Sequence, residues 1–147
     1  MLGVSASAVG GPERAFVRLT FTPEAADTPE GARAADAPEG GAPLPPAVTT
    51  DHWLVPFKSA VLPRAAPRVV RLRQLSPTSA EVHLATNVTA AFVSVECWKV
   101  VGAFSDGAFT LLAGAPPLAL RFEARRAFAL AELAEGLRVR SLRDTYE

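Results

Sequence analysis

Hydrophobic and polar residues alternate through most of the second half of this chain. Residues 68–74 place Val70 and Leu72 on one side, with Arg71 and Arg73 on the other. Residues 80–86 repeat the pattern, Val82 and Leu84 turned inward, Glu81 and His83 outward. A period of two is that of a half-buried strand. Leu75-Ser76-Pro77-Thr78-Ser79 between them carries turn chemistry, which predicts a hairpin. A further strand is predicted over 92–96. Ser105-Asp106-Gly107 is a turn before a strand over 109–112. After Pro116-Pro117, Leu118, Leu120 and Phe122 face one side, and Arg121 and Glu123 the other. Residues 125–135 are rich in Ala, Leu, Glu and Arg and predict a short helix or turn, with Gly136 as its C-terminal cap. A last strand follows over 137–142. Upstream, residues 15–21 alternate as well, with Phe16, Arg18 and Thr20 opposite Val17, Leu19 and Phe21.

The pattern amounts to about seven or eight short strands with turn signals every 8–12 residues, which predicts an all-β fold, an antiparallel immunoglobulin-like β-sandwich. Composition interrupts it once. Residues 23–49 hold six Pro, three Gly, eight Ala and no aromatic residue, with five acids and one base. Such a segment buries too little apolar surface to offset its ordering entropy, and it is expected to be a long disordered insertion.

The chain has 147 residues, the size of one domain. Its 15 Lys and Arg balance its 15 Asp and Glu, so no global field points to nucleic acid or an anionic membrane surface. The single cysteine, Cys97, cannot form an internal disulfide. No apolar run is long enough to predict a transmembrane helix. The start, Met1-Leu2-Gly3-Val4, lacks the basic and apolar regions of a signal peptide, so no compartment is assigned.

Candidate chemistry is sparse. Cys97 with His52 or His83 would make a nucleophilic dyad, but the three lie in unrelated segments. Paired metal-ligand spacings are missing, and no metal or cofactor is expected. Trp53 and Trp98 are candidate carbohydrate contacts, since exposed aromatic rings stack on sugar faces. The ordinary role of a Trp is packing in a core or at a domain interface, and Trp98, at a strand end, is the better surface candidate. Asn87-Val88-Thr89 fits the N-glycosylation sequon. Phe104-Ser105-Asp106-Gly107 is the sharpest local motif and reads as a structural turn, Ser and Asp binding backbone and Gly permitting positive φ.

Three segments, taken in order, resemble one known family. They are Ala91-Phe92-Val93-Ser94-Val95-Glu96, then Gly102-Ala103-Phe104-Ser105-Asp106-Gly107-Ala108-Phe109, then Leu137-Arg138-Val139-Arg140-Ser141-Leu142-Arg143-Asp144-Thr145-Tyr146. Together they resemble the C-terminal end of the β-mannosidases of glycoside hydrolase family 2. There an FVW-like strand leads to a GRFSDNGF-like turn and strand, and a last strand ends in an SLxDxY-like tail. Gly107 and Ala103 stand where the family usually has Asn and Arg.

The resemblance implies a non-catalytic sandwich appended to a catalytic barrel. The parent would hydrolyse terminal non-reducing β-D-mannose residues by a retaining mechanism with two carboxyl groups about 5–5.5 Å apart. The family's two catalytic glutamates have no matching positions here, so the chain alone is expected to be inactive. Its implied partners are the neighbouring domains of the same chain and mannoside glycans, with neither nucleic acid nor membrane among them. The compartment would be lysosomal or extracellular for a eukaryotic parent and cytoplasmic for a bacterial one. The expected organisation is a disordered segment or linker over 1–14, an edge strand over 15–22, the acidic insertion over 23–49 and the sandwich over 50–147. The tail from Ser141 to Tyr146 reads as an edge strand whose Tyr packs back on the domain. A stand-alone carbohydrate-binding module is the alternative reading. An adhesion-type immunoglobulin module would need an exposed apolar patch, which the alternating Arg faces do not suggest.

Overall fold

A computed structural model describes residues 2–7, 14–22 and 47–146. The chain divides into two compact units, Met1–Val61 and Leu62–Glu147. The division falls between residues 61 and 62, where the sequence pattern placed the start of the sandwich at residue 50.

The first unit is a three-stranded antiparallel sheet of β1 (Leu2–Ser7), β2 (Phe16–Phe21) and β3 (Val48–Trp53), in the order β1-β2-β3. Two expectations are corrected here. Leu2–Ser7, taken as linker, is a strand paired along its length with β2. The sequence Leu2-Gly3-Val4-Ser5-Ala6-Ser7 shows only a weak alternation of apolar and polar residues, so the pattern does not announce the strand. Residues 15–22, taken as an edge strand, are therefore central. Register sets the side chains of β3 against those of β2, with Phe16 opposite Trp53 and Arg18 opposite Asp51. The aromatic pair stacks with centroids 4.9 Å apart. The Arg18 guanidinium donates to both Asp51 oxygens at 2.7 and 2.8 Å, the bidentate form that is strongest and most directional. Val48 and Thr49, expected within the insertion, belong to β3, and the rest of that expectation, residues 23–46, lies outside the described residues.

The second unit holds two antiparallel sheets. One is four-stranded, with β4 (Arg68–Ser76), β5 (Ser79–Ala85), β9 (Leu118–Ala124) and β7 (Gly102–Phe104) in the order β4-β5-β9-β7. The other has β6 (Ala90–Cys97) between β10 (Leu137–Arg140) and β8 (Phe109–Leu111). Seven strands divided four plus three are the architecture of an immunoglobulin-like sandwich, with β6, the third strand of the unit rather than the sixth, at the centre of the smaller sheet. The seven strands of this sandwich agree with the seven or eight expected, and the first unit brings the described strands to ten. The core is one cluster drawn from both sheets and from the helix α1 (Leu130–Gly136). Val82 and Leu84 come from β5, Val93 and Val95 from β6, Leu120 and Phe122 from β9, and Leu133 from α1. Phe122 is fully buried and touches Phe104 and Phe128 at ring distances of 4.8 and 5.7 Å.

Local departures from the pattern have local causes. On β4 the register shifts between Val69 and Arg71. This bulge turns Val69 and Leu72 to the core and leaves Val70, expected inside, 44% exposed. The helix starts at Leu130 rather than near 125. The intervening backbone bonds elsewhere, Arg125 N–H to Val101 O at 3.0 Å and Phe128 N–H to Pro77 O at 3.1 Å. Gly136 is not a left-handed cap. It is a point of close approach, where a Cβ would lie 2.8 Å from Cys97 Sγ and 2.9 Å from Lys99 Cβ. The tail is not an edge strand. Ser141 and Asp144 form a capping box that winds Leu142–Thr145 into a 3-10 turn, and Tyr146 is 50% exposed.

Candidate functional site

The residues singled out from the sequence fall in different places. Trp53 is half-buried, stacked on Phe16 and tilted against Phe57 at 5.5 Å. Its ring is used in packing. Asn87 is exposed in the β5–β6 connection, and its side-chain carbonyl accepts the Ala66 N–H at 2.8 Å. Its amide nitrogen has no hydrogen bond among the described residues.

The Phe104–Gly107 motif is a turn built from its own polar groups. Ser105 N–H donates to Arg121 O at 2.8 Å, and Ser105 Oγ accepts the Arg121 N–H at 3.0 Å. Asp106 Oδ1 accepts the Gly107 N–H at 2.7 Å. Gly107 does not use the left-handed backbone region expected for it, since the Asp106 carboxylate closes the turn without it.

Cys97 and the histidines are not brought together as a dyad. Cys97 Sγ accepts the Val100 N–H at 3.4 Å, His83 is bonded to Glu81 on β5, and His52 lies on β3 in the other unit. Among the described residues, no group of three or more His, Cys, Asp or Glu side chains could hold a metal ion.

Trp98 is different. It is 70% exposed, the largest exposure of any large hydrophobic residue described. It follows β6 directly, and an open depression beside it is lined by Glu96, Cys97, Trp98 and Arg138. Glu96 and Arg138 are cross-strand neighbours on β6 and β10. Sequence reading missed both. The alternation of β6 turns Glu96 outward, but only the pairing of β6 with β10, distant in sequence, sets Arg138 opposite it. Lys99 lies 5.1 Å from the centroid of the Trp98 ring and is itself bound by Glu135. The loop beneath is fixed. Trp98 N–H donates to Gly136 O at 3.2 Å, and Val100 is fully buried.

The carboxylates that titrate abnormally lie elsewhere. Glu81 is held below the ordinary carboxylate range, first by its hydrogen bond to His83 and then by Arg73. Glu132 is lowered by its hydrogen bond to Arg126. Both shifts are those of structural ion pairs.

No curated protein matches the chain. The family model Ig_mannosidase, described as an Ig-fold domain, matches residues 65–145. That interval starts just after the second unit begins and contains both of its sheets, Trp98 and the Phe104–Gly107 turn. The chain belongs to the Ig_mannosidase family of Ig-fold domains.

Proposed function

We propose that this chain is the non-catalytic C-terminal immunoglobulin-like part of a β-mannosidase, an enzyme that removes terminal non-reducing β-D-mannose residues. Its role is to dock on neighbouring domains of the same protein and stabilise the assembly. The observation that carries this reading is the Ig_mannosidase match over 65–145, joined to the three sequence segments that resemble the end of such enzymes.

Among the described residues, the state of the carboxylates other than Glu96 supports a structural role. A retaining glycosidase needs a general acid whose pKa is raised, beside a free nucleophile. Here Asp51 is held by Arg18, Glu132 by Arg126 and Glu135 by Lys99. Asp106 and Asp144 bind backbone N–H groups, and Glu123 pairs with Arg121. Glu81 and Glu132 are shifted downward, opposite to what an acid catalyst needs.

The test is hydrolysis of an aryl β-mannoside by the purified chain. The expected rate is that of a heat-inactivated control. Turnover above it, abolished by a glutamate substitution, would overturn the reading. An antibody raised against the second unit should detect a native protein several times heavier than 15.5 kDa, and a native band at that mass would remove the docking role.

A further inference from the structure

The corner around Trp98 has features that packing within the domain does not use. A large aromatic ring is left 70% exposed on a strand end, which is an unusual placement unless something stacks on it. Glu96 is the one carboxylate among the described residues without a hydrogen bond or ion pair, and Arg138, opposite it, is also without one. Both line the same depression as the ring. An opposite-charge pair in direct cross-strand register ordinarily closes on itself. This one stays open and presents an acceptor and a planar set of donors beside an apolar surface.

We propose that Trp98, Glu96 and Arg138 form a binding site for a neutral hexopyranoside chain. A pyranose has an apolar C–H face and a rim of hydroxyls. The ring supplies the surface for the first. Glu96 accepts from hydroxyl groups and Arg138 donates to them, each in the two-point manner of carboxylate and guanidinium. The charges decide against other ligands. Glu96 opposite Arg138 leaves the depression with no net positive charge, which disfavours phosphate and nucleic acid, and Lys99 is occupied by Glu135. A protein-docking core is depleted of charge, whereas this ring is bordered by Glu96, Lys99 and Arg138. The backbone under the ring is held in place. Trp98 is tied to Gly136 O, Gly136 packs on Cys97 and Lys99, and Lys99 is pinned against the ring. The cost of ordering on binding falls on the free Glu96 and Arg138 side chains, which keeps the expected affinity low. The choice of mannose among hexoses rests on the proposed function; the stacking site itself does not.

The experiment is isothermal titration of the full chain with β-1,4-mannopentaose and, separately, cellopentaose. Millimolar binding of mannopentaose is expected. Trp98→Ala should weaken it at least about tenfold, and Trp98→Phe should restore part of it. Glu96→Ala and Arg138→Ala should each weaken it. All three residues are exposed, so unchanged thermal midpoints should accompany the losses. Binding of cellopentaose alone, lost in Trp98→Ala, would uphold the site and count against the mannoside reading of the parent. Binding of neither sugar, binding indifferent to Trp98→Ala, or a Trp98-dependent self-association in place of sugar binding would overturn the proposal.

Discussion

At Gly102 a hydrogen occupies the position where any other residue would carry a Cβ. That atom would lie 2.4 Å from Glu123 O and 2.6 Å from the Phe122 ring. One contact is backbone within the β7–β9 ladder and the other is the most buried aromatic of the core, so neither can yield cheaply. Gly102→Ala should cost about 1–3 kcal/mol, the usual range for overpacking. Gly107→Ala, with nothing within 4 Å, should be nearly neutral. Urea denaturation of the two variants tests this, and equal losses would refute it. Glu81 makes a second prediction at this scale. Its pKa is lowered in the folded protein, so its stabilising contribution is present above the ordinary glutamate value of about 4.3 and is lost as pH falls through the lower folded value. The Tm difference between the parent chain and Glu81→Gln should therefore shrink between neutral pH and pH 3. A difference constant across that range would show that Glu81 is not linked to folding.

Two aromatics on neighbouring parts of the sandwich show how differently strands use the same residue type. Phe122 on β9 is fully buried, and Phe122→Ala should cost about 3–5 kcal/mol, a large share of a typical domain's stability. Phe92 on β6 is 48% exposed and has φ of +48°. It sits where the β6–β8 register shifts between Ala90 and Val93. A bulky residue in the left-handed region costs about 1–2 kcal/mol, so Phe92→Gly should be far milder than Phe122→Ala and can even stabilise. Chemical denaturation of both variants checks the contrast, and comparable losses would mean that the strain is absent. The same bulges mark the limit of what the sequence discloses. The hairpin of β4 and β5 and the inward set of Val82, Leu84, Leu120 and Phe122 are legible because strict alternation has one buried face. Val70, inward by strict alternation, faces solvent because a bulge shifts the period by one residue, and nothing in Arg68–Ser76 announces it. The site was half legible for a related reason. Trp98 stands out by residue type, while Glu96 and Arg138 become neighbours only through a strand pairing that spans α1 and three other strands.

Across the whole molecule, the buried cluster that organises the sandwich begins no earlier than Ala65 and ends with Val139. All members of that cluster among the described residues therefore fall within Leu62–Glu147. The family match over 65–145 covers the same stretch, and both sheets complete their ladders inside it. A domain of this size buries roughly three-fifths or more of the surface its unfolded chain exposes, enough for independent if modest stability. Residues 62–147, expressed alone, should thus unfold in one cooperative transition, with coincident near-UV and far-UV signals. Leu133 gives the control. It is fully buried where α1 meets the sheets, and Leu133→Ala should lower the midpoint of the short chain through a loss of about 2–5 kcal/mol. A short chain that collapses without near-UV structure, or one whose midpoint ignores Leu133→Ala, would mean that the sandwich draws its order from outside its own core.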